Sequence, residues 1–282
     1  LFVNHFHKMI GLIFGDTDLP KAILNNIKKK KINYIIIDLS KYKKFKKDHN
    51  VHYISIGQFG KIIKTLKQNK CKKVLLAGKI IKPKLSSLRL DFKGFFYIKK
   101  IIKASKLGDA AIISEIIKIL SKDGIKVISS TTFNPELSLK KGNFTNIKPN
   151  DYDKDDIAKG ILHLFKLNKY NHTQGLVVRN NKVIIKEGIK GTKKMIQFIK
   201  KNKKRNGILI KFPKKKQDLR VDLPTIGLDT FKDCKKSGLK GIVLKANQNI
   251  IMDKNKCLRF ANKNSMFLKV IWRKYFSYLY FF

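Results

Sequence analysis

Short apolar runs alternate with segments of helical periodicity in the first part of the chain. Runs bounded by polar or turn-forming residues predict buried strands at Met9–Phe14, Tyr34–Leu39, Val51–Ile56, Val74–Ala77 and Val127–Ser130. Apolar positions three and four residues apart predict helices at Ala22–Ile27, Gln58–Leu66, Ile98–Ala104 and Ala110–Leu120. Because strands that alternate with helices form parallel sheets, residues 9–130 predict a Rossmann-like α/β domain.

The pattern fades after residue 130 and resumes near residue 171. Asn, Lys, Gly and Pro dominate residues 131–150, which predicts a linker, and Asp151–Leu167 predicts a connecting helix. A β-hairpin turning at Asn180-Asn181 is predicted next. Further strands and helices are predicted at Lys193–Lys201, Ile208–Phe212, Thr230–Lys236, Ile242–Leu244 and Ile250–Met252. The predicted organisation is an N-terminal domain at 9–130, a linker and connecting helix at 131–170, a C-terminal α/β domain at 171–271 and an aromatic tail at 272–282.

The charge of the chain is strongly one-sided. Lys and Arg number 64 against 19 Asp and Glu, which gives a net charge of +45 at pH 7. A basic module that binds nucleic acid or an anionic membrane surface is therefore the alternative function. The basic residues are spread along the whole chain, however, and nearly all are lysine, alongside abundant Asn, Ile, Phe and Tyr. This distribution favours a compositional bias of the genome, with solvated lysines, over a specific nucleic-acid site.

The cysteines bear on the compartment of the protein. Cys71, Cys234 and Cys257 are far apart and odd in number. They predict buried thiols rather than a disulfide framework or a zinc site. No apolar run approaches the roughly 18 residues that a membrane-spanning helix needs. We therefore expect a protein of the reducing cytoplasm.

The segment Gln217–Gly227 concentrates residue types that suit phosphate chemistry. Asp218 and Asp222 flank Arg220, although acids and arginines are both scarce in the chain. Carboxylates hold a hard cation such as Mg²⁺ through oxygen, and a guanidinium neutralises phosphate oxygens. The order acid, arginine, acid therefore suits a metal–phosphate site. An exposed ion pair at the end of a strand explains the same residues equally well.

The first strand carries a weaker signal. Gly11 and Gly15 lie in and directly after it, but the full spacing of a dinucleotide-binding fingerprint is missing. Asp38, at the end of the second strand, suits either a ribose hydroxyl or a cap on the strand end, and the cap is the favoured interpretation.

In this segment and in others along its length, the chain resembles the LpxI-type UDP-2,3-diacylglucosamine pyrophosphatases of lipid A biosynthesis. The resemblance runs from about Met9 to Ile271, and its most specific part is Gln-Asp-x-Arg-Val-Asp-Leu-Pro-Thr-Ile-Gly at Gln217–Gly227. Supporting matches occur in the same order along the chain at Gly11-Leu12-Ile13, Gly15, Leu19-Pro20, Ile56–Lys61, Ala77-Gly78, Pro83, Gly108-Asp109, Gln174-Gly175, Glu187, Gly191-Thr192, Lys211, Pro213-Lys214, Gly238 and Gly241–Val243.

The resemblance implies a reaction and a set of site residues. It implies two α/β domains with the substrate in the cleft between them, and Mg²⁺-dependent attack of water on the β-phosphorus, which yields UMP and 2,3-diacylglucosamine 1-phosphate. The implied catalytic residues are Asp222, Arg220 and Lys211, and the implied metal ligands are Asp222, Asp218 and Glu187. The implied substrate-binding residues are Gly11, Gly15, Gly78, Gln174, Gly191, Thr192, Lys214 and Thr225.

The resemblance also implies a setting for the enzyme. Its partner is a lipid substrate, so we expect peripheral contact with the inner face of the inner membrane and no specific nucleic-acid partner. The choice between a monomer and a homodimer stays open.

The sequence departs from the family pattern at several positions. Asp16-Thr17-Asp18 replaces a glycine-rich loop, and Lys190, Lys193 and Lys245 replace acids. The aromatic tail at 272–282 extends beyond the family's usual end, and it suits either an interfacial anchor or a disordered or read-through extension.

Overall fold

The computed structural model describes residues 9–81, 83–167, 173–200, 205–215 and 217–272. The predicted aromatic tail lies outside the described residues from position 273 onward. Two compact units are present. Unit 1 holds the described residues up to Pro135 together with Asp218–Asp222, and unit 2 holds Glu136–Gln217 and the described residues from Leu223 onward.

Unit 1 alternates strands and helices. Its elements are β1 (Ile10–Phe14), α1 (Leu19–Lys29), β2 (Tyr34–Asp38), β3 (Val51–Tyr53), α2 (Phe59–Gln68), β4 (Lys73–Ala77), α3 (Phe92–Lys106), α4 (Asp109–Lys122) and β5 (Lys126–Ile128). The strands described in this unit form a five-stranded parallel sheet in the order β3-β2-β1-β4-β5. The predicted Rossmann-like α/β arrangement is confirmed.

Strand β1 shows why these residues form a central strand. All five of its residues are buried, because helices cover both faces of a parallel sheet. Leu12 and Phe14 pack with Ile23 and Ile27 of α1, whereas Ile13 belongs to the core cluster on the other face, which α2 and α4 cover. The near-continuous apolar run in the sequence is therefore a consequence of burial on both sides.

Unit 2 begins with a short strand and continues as a mixed α/β fold. Its elements are β6 (Gly142–Asn143), α5 (Asp151–Lys166), β7 (Gly175–Arg179), β8 (Lys182–Lys186), α6 (Gly191–Gln197), β9 (Ile208–Lys211), β10 (Thr225–Ile226), α7 (Leu228–Lys236), β11 (Gly241–Lys245), β12 (Ile250–Ile251), α8 (Lys254–Lys263) and β13 (Phe267–Ile271). The strands described here form a six-stranded sheet, β6-β13-β11-β9-β7-β8, and a separate parallel pair, β10-β12. Strands β13, β11 and β9 run parallel to one another, whereas the pairings β6–β13, β7–β9 and β7–β8 are antiparallel.

Several predicted elements of unit 2 are confirmed, and others differ. The hairpin of β7 and β8 turns at Asn180 and Asn181, whose φ angles of 51° and 55° suit the tight turn that asparagine tolerates. Helix α6 starts two residues before its predicted beginning and ends at Gln197. Strand β6 lies inside the segment predicted as a linker and pairs with β13. Helix α8 and strand β13 were not predicted.

The cysteines behave as predicted. Cys71, Cys234 and Cys257 are buried and form no disulfide. Burial raises the pKa of the Cys71 thiol to about 11, so this side chain stays protonated at neutral pH. The three residues therefore act as small apolar fillers of the core.

Within the described part of the chain, no helix is both long and apolar enough to cross a bilayer.

Candidate active site

Gly15 and Gly78, both predicted to contact substrate, lie together where β1 and β4 end. The backbone N–H of Gly15 donates to Ala77 O at 2.9 Å. A Cβ atom on Gly15 would lie 2.5 Å from the carbonyl oxygen of Lys79, and Gly78 has a φ of +89°, so both positions suit glycine. The strand order changes direction between β1 and β4, and open α/β sheets bind ligands outside the carboxyl ends of strands at such a point. The two glycines therefore occupy a position suited to a nucleotide.

Gly11 is placed differently. It lies inside β1, where a Cβ atom would overlap the side chains of Leu66 and Val74. Close packing of β1 against α2 accounts for this glycine, and its position is buried rather than at the strand end. Asp38 is the predicted strand-end cap, because its carboxylate accepts from Ser40 N at 2.8 Å and Phe45 N at 3.3 Å.

The acidic loop that replaces the glycine-rich loop of the family is tied to a neighbouring loop. The Asp16 carboxylate accepts from the backbone N–H of Lys41 at 3.1 and 3.3 Å. The ammonium group of Lys44 donates to the carbonyl oxygen of Asp16. In this chain, therefore, the Asp16 carboxylate and the ammonium group of Lys44 hold the loop after β1 against its neighbour.

In the motif segment, Asp218 and Arg220 form a bidentate ion pair. Nε of Arg220 donates to Oδ1 of Asp218 at 3.0 Å, and Nη2 donates to Oδ2 at 2.7 Å. The hydrogen bonds from Arg220 hold the pKa of the Asp218 carboxyl below its usual value, and the same contact raises the pKa of the guanidinium. The ion pair anticipated as the alternative interpretation is thus present for Asp218 and Arg220. The backbone N–H of Asp222 donates to Asp218 O at 3.0 Å.

Two contacts fix this segment to unit 1. The backbone N–H of Ser130 donates to Arg220 O at 2.7 Å, and Val221 packs against the core cluster that contains Ile13. The next residues return to unit 2, where Ile250 N donates to Pro224 O at 2.9 Å. Residues Asp218–Asp222 therefore pack with unit 1, although the chain on either side of them belongs to unit 2. Asp222 is half-buried.

Unit 2 contains a buried group of polar side chains at Lys211, Glu187 and Thr192. Nζ of Lys211 lies 3.5 Å from Oε1 of Glu187, and both side chains are only 5% exposed. The Thr192 hydroxyl donates to Oε1 of Glu187 at 2.8 Å and accepts from the Lys211 ammonium group. Lys211 ends β9, Glu187 follows β8, and Thr192 lies in the first turn of α6, directly after Gly191. Burial of these charges is tolerated because each has a partner.

Gly175 makes room for this group. A Cβ atom on Gly175 would lie 2.7 Å from Oε2 of Glu187. That oxygen is buried and has no hydrogen-bond partner among the described residues. Gly175 matches the family pattern, but its position in the sequence alone indicates no role. The available signal was a glycine at the start of a strand, which often marks a close approach.

Gln217 connects two residues that were predicted to bind substrate. Its Oε1 accepts from Lys214 N at 2.8 Å, and its Nε2 donates to Oε1 of Gln174 at 3.4 Å. The sequence motif includes this glutamine, but nothing in its pattern indicates the positioning role that these contacts give it. Thr225, another predicted binding residue, is exposed at the start of β10, and its hydroxyl donates to Leu223 O at 3.1 Å.

The donor groups can be compared with what Mg²⁺ requires. No group of three His, Cys, Asp or Glu side chains among the described residues is arranged to hold a metal ion. Glu187 already has the Lys211 ammonium group beside it, which a divalent cation would meet as a like charge. Mg²⁺ commonly binds through one or two carboxylates, several waters and substrate phosphates, however. The acids of the motif therefore fit a Mg²⁺ that takes most of its ligands from substrate and water, although both oxygens of Asp218 already accept from Arg220.

Comparisons with known proteins show which family this chain matches. The family model described as the LpxI N-terminal domain matches residues 9–137, and the one described as the LpxI C-terminal domain matches residues 140–269. A relative from Caulobacter vibrioides, named UDP-2,3-diacylglucosamine pyrophosphatase LpxI, is 27% identical over 270 residues, which cover 93% of this chain and 96% of the relative. With both domains matched in order, the chain belongs to the LpxI family.

Proposed function

We propose that this chain hydrolyses the pyrophosphate bond of UDP-2,3-diacylglucosamine in lipid A biosynthesis. The observation that carries the proposal is the match of both LpxI domains along nearly the whole chain, together with a relative named for this activity. The acid–arginine–acid segment of the family motif is intact and is held firmly on unit 1. The products are UMP and 2,3-diacylglucosamine 1-phosphate.

The reaction is a displacement at the β-phosphorus. A water oxygen forms a bond to the β-phosphorus, the bond from that phosphorus to the bridging oxygen breaks, and UMP leaves with the bridging oxygen. The water proton passes to a base, and we assign that role, or the orientation of the water, to Asp222. Phosphoryl transfer depends mainly on positioning and on stabilisation of charge, so one well-placed carboxylate matters greatly.

Arg220 is proposed to stabilise the charge of the diphosphate. Asp218 engages Nε and Nη2 of Arg220, which leaves N–H groups of Nη1 for a phosphate oxygen. Lys211, which Glu187 and Thr192 hold in place, is the further charge stabiliser that the family resemblance implies. A charge that is oriented before the substrate binds loses little free energy to reorganisation.

Mg²⁺ is the proposed cofactor, and Asp222 is the residue that would hold it. When bound, the ion neutralises phosphate oxygens and makes the phosphorus more open to attack. Asp218 orients the neighbouring guanidinium in this scheme, because its two oxygens are committed to Arg220.

The test is release of UMP from purified UDP-2,3-diacylglucosamine by the full chain in mixed detergent micelles. We expect release that stops in EDTA and returns when excess Mg²⁺ is added. In water enriched in oxygen-18, we expect the label in the lipid phosphate and not in UMP. Release that is unchanged by EDTA contradicts the metal assignment, and label in UMP contradicts attack at the β-phosphorus. No release under any condition, combined with tight binding of nucleic acid that survives high salt, would support the alternative of a basic binding module.

A further inference from the structure

Helix α3 exposes three phenylalanines on one face. Phe92, Phe95 and Phe96 are 78%, 65% and 62% exposed. The rings of Phe92 and Phe96 lie 4.9 Å apart in an edge arrangement, and those of Phe95 and Phe96 lie 6.4 Å apart. Spacings of one, three and four residues bring these side chains together at the start of the helix. Large apolar side chains gathered in this way on a surface mark an interaction site.

The same face continues as a row of positive charge. Lys99, Lys103 and Lys106 follow at intervals of three and four residues, and all three are exposed. Helix α3 itself contains no Asp or Glu. We call Phe92, Phe95, Phe96, Lys99, Lys103 and Lys106 the α3 face. An aromatic end followed by lysines is the composition of a helix that lies in the interface of a membrane.

The start of this helix is fixed to its surroundings. Asp91 caps α3 by accepting from Gly94 N at 2.8 Å, and the same carboxylate accepts from Gly60 N at 3.1 Å and Lys61 N at 2.7 Å at the start of α2. Burial alone would raise the pKa of the Asp91 carboxyl, but these N–H donors outweigh burial and hold the pKa below its usual value. The backbone that carries the three phenylalanines is therefore already ordered, so binding costs little conformational entropy.

We propose that the α3 face docks the protein on an anionic lipid bilayer, with the three phenylalanines in the headgroup region and the lysines against lipid phosphates. Charge complementarity identifies the occupant, because the face combines exposed apolar rings with lysines and lacks acids. The inference rests on the proposed function in one respect: a diacylated substrate resides in such a bilayer, so docking brings the enzyme to it.

Vesicle sedimentation tests the proposal with matched variants. The test variant is Phe92→Gln, Phe95→Gln and Phe96→Gln, since glutamine keeps the helix propensity of the exposed positions. The control variant is Tyr42→Gln, Tyr152→Gln and Phe198→Gln, which removes three aromatic rings that are 71%, 84% and 71% exposed elsewhere. A second pair of variants tests the lysines. The test variant changes Lys99, Lys103 and Lys106 to Gln. Its control changes Lys29, Lys64 and Lys236 to Gln, so that both variants lose the same net charge.

We expect vesicles of phosphatidylcholine with a quarter phosphatidylglycerol to bind the phenylalanine variant at least tenfold more weakly than the parent, and the aromatic control like the parent. The α3 lysine variant is expected to bind more weakly than its charge-matched control. Equal binding by the phenylalanine variant and the parent overturns the proposal. Equal loss in both lysine variants also overturns it, because binding would then follow total charge rather than this face.

A fluorescent reporter gives a second measurement that does not depend on the triple variant. In a Trp272→Phe background, Phe92→Trp should shift its emission to the blue on anionic vesicles and be quenched by lipids with brominated acyl chains. An emission unchanged by vesicles contradicts insertion.

Activity on detergent-dispersed substrate separates the two proposals, since the phenylalanine variant should keep parent activity there and lose it on vesicles. A parent that binds vesicles but releases no UMP in detergent would refute the proposed function and leave docking intact.

Discussion

Glu187 and Lys211 are buried charged side chains in a chain whose lysines are mostly exposed or only partly buried. Their Oε1–Nζ distance of 3.5 Å and the bridging Thr192 hydroxyl give each charge a partner. Removing one partner of such a buried pair leaves an unpaired charge and costs about 3–5 kcal/mol. The position of the Lys211 ammonium group therefore depends on the Glu187 carboxylate keeping its place.

A substitution at Gly175 would displace the Glu187 carboxylate without removing its charge. We predict that Gly175→Ala lowers kcat/KM roughly tenfold or more, because the new methyl group would lie 2.7 Å from Oε2 of Glu187 and displace it from Lys211. The matched control is Gly188→Ala, one residue beyond Glu187, where a Cβ atom meets nothing within 4 Å. Steady-state kinetics on both variants decide the matter. Parent-like kcat/KM in Gly175→Ala would show that the placement of Glu187 does not affect turnover.

At the scale of elements, one carboxylate ties three helices of unit 1 together. Asp123 follows α4 and accepts from Lys67 of α2 at 2.8 Å and from Lys93 of α3 at 2.9 Å. Burial of Asp123 alone would raise its carboxyl pKa, but the two lysines outweigh burial and hold the pKa below its usual value. This ion-pair cluster supports the helix that carries the α3 face.

We predict that Asp123→Asn lowers the free energy of unfolding at pH 7 by about 1 kcal/mol, a modest value because both lysine side chains are about half exposed. A carboxyl whose pKa is lower in the folded state stabilises the protein above its unfolded pKa of about 3.9, and the contribution is lost as pH falls through the folded value. Urea unfolding should therefore show a constant difference between the parent and Asp123→Asn from pH 7 to about pH 5. That difference should shrink below about pH 4. A difference that grew toward low pH would contradict the ion-pair account.

The sequence predicted those elements whose side-chain pattern is strong. Strand β9 and the Asn180-Asn181 hairpin carry apolar runs and turn residues that leave little choice. Helix α8 was missed because its ten residues are mostly polar or basic, and only Cys257 and Ala261 are buried. Strand β6 was missed because it consists of two residues held by backbone pairing, which side chains do not encode.

At the scale of the whole molecule, the motif residues do not all belong to the unit that surrounds them in sequence. Asp218–Asp222 pack with unit 1 although their neighbours on both sides belong to unit 2. Residue types alone suited this segment to a metal–phosphate site and equally to an exposed ion pair, and the Asp218–Arg220 pair is present. Its attachment could not be predicted, since it depends on the long-range contacts of Ser130 with Arg220 and of Val221 with the core.

The turnover of Asp222→Asn tests the central claim most directly. Asp229→Asn is the control, since it removes the charge of a carboxylate that is 89% exposed. We predict a single-turnover rate of UMP release about a thousandfold or more below the parent for Asp222→Asn, equivalent to roughly 4 kcal/mol of transition-state stabilisation, with little change in substrate affinity. If the Asp222 carboxylate served only in an exposed ion pair, its loss would cost at most about 1 kcal/mol, which corresponds to less than about a tenfold change in rate. A folded Asp222→Asn enzyme that binds substrate and turns over within tenfold of the parent would contradict the account.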